Sequence, residues 1–407
     1  MLSRRPFDDV HYLSSENSLM LAIALSCIVA VILIRTIRKD ISKYKIFQED
    51  TKEGQEAGWK SIHGDVFRPP QNMPMLVSVC VGTGLHVGVS FLLTLTLAVS
   101  TRWYSPSETE AIVPAFIFFH IFCSSVAGYV STRLYAFTGG TKMTTNLILT
   151  ATVLPGSFLT GYLILNVLLI HAGAETAVDF ESILVLVALW VCAGIPLFCG
   201  GVLLGRKAGK LHAPTATNRN STVIVSSCDK RYTKPIVTML AGGFIYFGGL
   251  YLELIFVINS LWFPQPYQPY LVTGFLLVDS VVAIVICALT AIVLTYLQLN
   301  TKDHRWWWRS FGNCASVGGY VFVYSIIYLP KTLDLVGNLS IAVYLCCMGM
   351  LSLCVGLFCG SVGFCASFWF TLKIYAYVMV DSLSTDDCED EKRGGTSHTR
   401  GPSWQWK

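Results

Sequence analysis

"IAVYLCCMGMLSLCVGLFCGSVGFCASFWFTL", from Ile341 to Leu372, contains no Asp, Glu, Lys or Arg. A helix that spans a bilayer needs about 20 predominantly apolar residues at ~1.5 Å rise each. The run is therefore long enough to cross with a tilt or to project past the bilayer. In hydrocarbon each backbone amide must be paired within its own segment, so a run of this kind is a helix and not a strand. Eight more runs of the same character precede it: Ser18 to Ile34, Met75 to Val99, Ala111 to Val130, Leu147 to Ile170, Ile183 to Leu204, Ile236 to Ile258, Leu271 to Leu297 and Phe311 to Leu329. Composition agrees, with 53% hydrophobic and only 13% charged residues, where soluble domains carry about 25% charged. The expected fold is an all-α polytopic membrane protein with nine transmembrane helices.

The basic residues assign the two faces. The loops after spans one, three, five and seven, together with the C-terminal tail, hold 25 of the 29 Lys and Arg residues. Only Arg4, Arg5, Arg102 and Lys331 fall on the other side. Cytoplasmic loops carry the excess of Lys and Arg, so the N-terminus is expected to be luminal or external and the C-terminus cytosolic. Trp103, Trp262 and the run Trp306, Trp307, Trp308 lie at span ends, where amphipathic rings favour the headgroup layer.

Other classes find little support. The basic residues do not form a face with interleaved aromatics, so nucleic acid is not an expected partner, whereas the lipid bilayer is. Twelve of the 14 cysteines fall inside spans and no CxxC pair occurs, so neither disulfides nor a metal is expected. No HExxH, GxSxG, GxGD-type aspartate pair or phosphate loop is present; an enzyme is not expected, nor is a cofactor. Sequons occur at Asn220 and Asn338, the first on the cytosolic side and the second in a short luminal loop.

Three features could carry function. Glu253 in span six and Asp279 in span seven are acids within the bilayer, about 7.5 and 12 Å from the luminal ends at ~1.5 Å per residue. Such residues cost roughly 2.5 to 3.5 kcal/mol at mid-helix. They fit either a cation-responsive pair lining a luminal cavity or hydrogen-bonded structural carboxylates. In span nine, Gly349, Ser352, Gly356, Gly360, Gly363 and Ser367 step by three or four residues and form a small-residue stripe, for helix packing or for receiving a foreign helix. Pro114, Pro155 and Pro196 are expected to kink their spans, and His86 and His120, each alone in its span, to be packing residues. Finally, "HGDVFRPP" (His63, Gly64, Asp65, Val66, Phe67, Arg68, Pro69, Pro70) is polar and interrupted by prolines between two apolar spans. It is expected to be a rigid elbow on the cytosolic face, with Asp65 and Arg68 as an exposed local pair.

"GWKSIHGDVFRPP" at 58–70 is also where a family likeness begins. With "ILIRTIRKDISKY" after span one, "AGYVSTRLYAFTGGTKMTTN" around span three, "ALWVCAGIPL" in span five, "YTKPIVTM" before span six, "ELIFVINSLW" at its end, "WWWRSF" before span eight and "FWFTLKIY" at the close of span nine, the chain resembles the transmembrane 9 superfamily, the nonaspanins, from Asp9 to about Asp381. The resemblance implies Golgi or endosomal residence and help in sorting or delivering other transmembrane proteins as cargo, by way of glycine-rich helices. The alternative is a channel or transporter for small solutes or ions that uses the intramembrane acids.

The chain departs from the family pattern in three ways. Only 17 residues precede span one, where the family carries a signal peptide and a large luminal domain. Residues 1–17 are thus expected to be a short luminal stub, as a truncated gene model, a processed form or a short paralogue would show. The family's C-terminal Lys-x-Asp type signal for the retrieval coat corresponds here to Met379, Val380 and Asp381, followed by 26 residues. Coat-complex binding is expected to fail, and residues 382–407 are expected to be a disordered cytosolic tail after the nine-helix domain of residues 18–381. Where the family often has an acid in mid-span seven, this chain has Leu289.

Overall fold

The computed structural model describes residues 20, 23–24, 26–39, 59, 62–70, 72–101, 111–171, 180–209, 211–215, 234–262, 269–330 and 337–392. Among these residues the regular structure is helical and no strand occurs. The helices are α1 (26–39), α2 (Pro74–Ser100), α3 (Ile112–Phe137), α4 (Met143–His171), α5 (Phe180–Lys207), α6 (Pro235–Trp262), α7 (Pro269–Asn300), α8 (Trp306–Tyr328) and α9 (Asn338–Lys392). Seven of them, all but α1 and α6, are long and apolar enough among the described residues to cross a membrane. The Ser18 to Ile34 expectation lies partly outside those residues, as do Arg4, Arg5, Arg102, Lys331 and Trp103.

α9 is the pillar of the bundle, packing against α8, α2 and α7. α2 is the most enclosed helix and also meets α3 and α4, while α5 packs on α3 and α6 on α8. The outer helices leave large apolar side chains bare, such as Val167 at 64% and Leu204 at 60% exposure. A soluble protein seldom exposes apolar surface on this scale; acyl chains are the solvent that suits it.

The small residues of α9 are enclosed by the bundle. A Cβ at Gly360 would lie 2.8 Å from the Phe311 ring, one at Gly356 3.0 Å from the Ala315 carbonyl, and one at Gly349 3.6 Å from Phe322; Gly363 meets Cys314. Ser352 Oγ donates to the Gly318 carbonyl (2.5 Å), and Thr295 Oγ1 donates to Ser367 Oγ (2.9 Å). α8 and α7 therefore already occupy this face. In lipid, close backbone contact of this kind is a main source of helix association.

α9 is helical as far as Lys392. No Gly or Pro occurs between Gly363 and Gly394, so nothing in that stretch breaks the helix. α3 is interrupted at Cys123, not at Pro114, and α5 contains a π turn over Trp190–Gly194 immediately before Pro196. Pro196 has no N–H to offer the Cys192 carbonyl, and a wider turn accommodates that loss.

Candidate functional site

Trp59, residues 62–70 and Asn72 form a floor across one end of the bundle. Its tight turn is closed by Asp65 N–H and Val66 N–H donating to the Ile62 carbonyl (2.9 and 3.1 Å) and Arg68 N–H donating to Asp65 (3.0 Å). This geometry aims Ile62, Val66 and Phe67 inward, and Val66 is fully buried. His63 and Pro69 are exposed, while Gly64, Arg68 and Pro70 are half-buried.

Side chains more than 200 positions away hold the backbone of this segment. Trp306 Nε1 donates to the Val66 carbonyl (2.8 Å), Trp308 Nε1 to the Asn72 carbonyl (2.8 Å), and the Tyr375 hydroxyl to the Trp59 carbonyl (2.8 Å). Phe67 lies edge-on to Phe137 and Tyr375, and Trp306 stacks on Trp307 with ring centroids 4.8 Å apart. Two of the tryptophans expected at the headgroup layer are enclosed by protein. Trp306 and Trp307 are 0% and 1% exposed, because they roof the signature loop instead of facing lipid. Trp262 has no described side chain.

The Asp65–Arg68 pair is likewise not the exposed surface pair expected. Asp65 is 3% exposed and bonds Arg68 at 2.9 Å, because the turn carries the carboxylate beneath the bundle. Next to it, in the α7–α8 loop, Asp303 pairs with Arg309 at 2.9 Å. His304, 9% exposed, lies within electrostatic reach of Asp303 and Asp65 and of Arg305 and Arg68. Burial holds its imidazole pKa below the ordinary range, and the carboxylate of Asp303 opposes that only in part.

The end of α3, Ala213 after α5, the end of α7, the start of α8, and α9 at Tyr375 all meet this segment in one apolar cluster, and Ile37 of α1 joins them. These described helix ends thus meet at a common end of the bundle.

Glu253 and Asp279 lie on α6 and α7, but their side chains are outside the described residues, so the structure does not join them into a site. It joins His86 and His120. The rings of these two residues, from α2 and α3, stack with centroids 4.2 Å apart and planes 17° from parallel. His86 Nε2 faces the His120 carbonyl at 2.6 Å. Reading each histidine alone in its own span missed the pair, because no local signal relates the rotation of α2 to that of α3. Among the described residues, no group of three or more His, Cys, Asp or Glu is placed to hold a metal.

A helical bundle with lipid-type outer faces and an internal polar cluster defines a multi-pass membrane protein. The chain belongs to the Endomembrane protein 70 (EMP70) family, whose model matches residues 1–338. It is 35% identical over 375 residues to transmembrane 9 superfamily member 10 of Arabidopsis thaliana, covering 92% of this chain and 58% of that protein. To member 2 of Homo sapiens it is 33% identical over 381 residues, covering 94% and 56%, and to human member 4 it is 32% identical over 372 residues, covering 91% and 57%. The chain therefore spans somewhat more than half the length of these relatives. No solved structure matches it.

Proposed function

We propose that this chain is a Golgi or endosomal membrane protein that sorts or delivers other transmembrane proteins by holding their helices. Its disposition in this reading is nine spans with the N-terminus luminal and the C-terminus cytosolic. Support for the orientation comes from the concentration of Lys and Arg in the loops after spans one, three, five and seven and in the C-terminal tail, the excess that cytoplasmic loops carry. Support for the sorting role comes from family membership and from where small residues remain open. The Gly349, Gly356, Gly360 and Gly363 stripe is covered by α8 and α7, whereas Gly200 of α5 has no atom within 4 Å of where a Cβ would sit. Gly200 lines an outward groove with Ser125, Pro196, Leu197 and Leu203, and an approaching helix could pack its backbone closely there. That open groove carries the proposal.

The test is co-purification of glycine-rich transmembrane segments with the full chain and with Gly200→Leu. The variant should remain monodisperse and lose the cargo helix. A folded Gly200→Leu protein that captures such segments as well as the parent does would reject the groove, and unchanged surface delivery after depletion of the protein would reject sorting. For the orientation, a tag after Lys407 should be reachable when only the plasma membrane is permeabilised.

A further inference from the structure

We propose that Arg133 of α3 and Lys207 of α5 form a binding site for a phospholipid with an anionic headgroup, whose acyl chain lies along Leu203 and Leu204. The two helices cross closely because their facing residues are small. A Cβ at Gly201 would meet the Ser125 backbone, one at Gly205 would lie 3.0 Å from the Tyr129 carbonyl, and one at Gly128 would meet Phe198 and Val202. The pairings Ser125–Gly201 and Tyr129–Gly205 advance by four residues on both helices, so α3 and α5 run side by side in the same direction. One turn further on, Arg133 comes level with the end of α5 at Lys207.

Arg133 is short of acceptors. Its Nη1 donates to the Tyr129 hydroxyl (2.8 Å), and the guanidinium lies over the Tyr129 ring with Cζ 5.7 Å from the centroid. Tyr129 is neutral, so neither contact answers the charge. Nε is buried with no hydrogen-bond partner, and neither Arg133 nor Lys207 has an ion pair among the described residues. Two cations at one end of one crossing thus face no carboxylate, and the occupant that complements them is an anion.

An apolar groove continues from these charges along α5. Gly200, Leu203, Leu204 and Lys207 line it at spacings of three, four and seven residues, one face of the helix, with Ser125 of α3 opposite. Leu203 and Leu204 are 59% and 60% exposed. The groove opens about 540 Å³ to water-sized centres, where a single water needs roughly 10–15 Å³, so it suits a chain and not a lone ion. From Lys207 to Gly200 is about 10 Å at ~1.5 Å per residue. Positive charge followed by an apolar trough of this kind matches a headgroup followed by its acyl chain.

Basic pockets between transmembrane helices hold anionic headgroups, and the planar guanidinium fork fits two phosphate oxygens at once. Arg133 therefore supplies the directional contact and Lys207 a mobile point charge. In the orientation proposed above, this end meets the cytosolic leaflet, where anionic lipids give the surface its negative potential. The headgroup contacts lie apart from Gly200, so the lipid site stands whether or not a cargo helix packs there.

The test is native mass spectrometry of the full chain in detergent with equal amounts of phosphatidylserine, phosphatidylinositol and phosphatidylcholine. An anionic lipid should stay bound under activation that strips phosphatidylcholine. Lys207→Gln and Arg133→Gln should each lower its retention severalfold, and Arg133→Lys should keep only part of it, since Lys lacks the planar fork. Arg206→Gln, at the same helix end but outside the groove, should leave retention unchanged. Inorganic phosphate should not displace the lipid, because it has no chain to fill the groove. Should Arg133→Gln not fold, the exposed Lys207→Gln decides the matter against Arg206→Gln. Equal retention of anionic and zwitterionic lipid, equal losses in Lys207→Gln and Arg206→Gln, or displacement by free phosphate would overturn the assignment. So would a lipid-free protein that uses Lys207 to hold a transmembrane segment ending in a glutamate.

Discussion

Trp306 and Val66, 240 residues apart in the chain, are joined by an indole N–H donating to a backbone carbonyl at 2.8 Å. Both residues are 0% exposed. The bond ties the loop before α2 to the first turn of α8, and Trp308 and Tyr375 repeat the device at Asn72 and Trp59. The tryptophan run thus positions a segment that has no regular structure of its own beyond a turn.

Replacing Trp306 by Phe keeps most of the buried ring but leaves the Val66 carbonyl without its donor. Stability should fall by about 1–3 kcal/mol, the range for a buried polar group left unpaired, read as a lower thermal midpoint in detergent. Protease cleavage within 59–70 should rise in parallel; equal cleavage in parent and variant would mean that the bond does not hold the loop.

Asp65→Asn removes a buried carboxylate and leaves the half-buried Arg68 guanidinium without its ion pair. A loss of about 1–3 kcal/mol is expected, and Arg68→Lys should not restore it, since Lys lacks the planar guanidinium fork. The thermal midpoints of the two variants relative to the parent protein decide this.

Gly356→Leu and Gly360→Leu should prevent formation of the α8–α9 contact, because the new side chains would meet the Ala315 backbone and the Phe311 ring. Gly319→Leu, on α8, should fold, since nothing lies within 4 Å of its added Cβ. Size-exclusion profiles of the three proteins distinguish a packing stripe from a surface. A monodisperse Gly360→Leu protein would show that α8 can stand away from α9.

His304 lies in the α7–α8 loop, and its folded-state pKa is depressed, first by burial. The unfolded chain therefore binds a proton more readily than the native one. Its contribution favours the native state above the ordinary imidazole value of about 6.5, and stability falls as pH drops from there through the depressed folded value. The thermal midpoint should decline between about pH 7.5 and 5.5, and His304→Gln should flatten that decline. An unchanged slope in the variant would assign the pH dependence to another group.

How much of this was legible in advance differs from feature to feature. The Ile341–Leu372 run reads as a helix because bilayer transfer is decided segment by segment, and α9 contains it whole. The π turn next to Pro196 falls where that proline marked an irregularity, whereas the Cys123 break carries no proline and could not be anticipated. Asp65 was expected to be exposed because proline-flanked charged loops usually lie in water; its burial depends on the aromatic roof built by Trp306, Trp307 and Tyr375.

From the sequence alone came the membrane class, the helical segments and the family likeness, along with the asymmetry of basic charge, since each follows from local composition and order. Only the tertiary structure decided that α8 already fills the glycine face of α9, that Val66 answers Trp306, and that His86 stacks on His120. Those relationships depend on how helices far apart in the chain rotate and cross. A rotation of a fraction of a turn would redirect every such side chain while leaving the hydropathy of each segment unchanged.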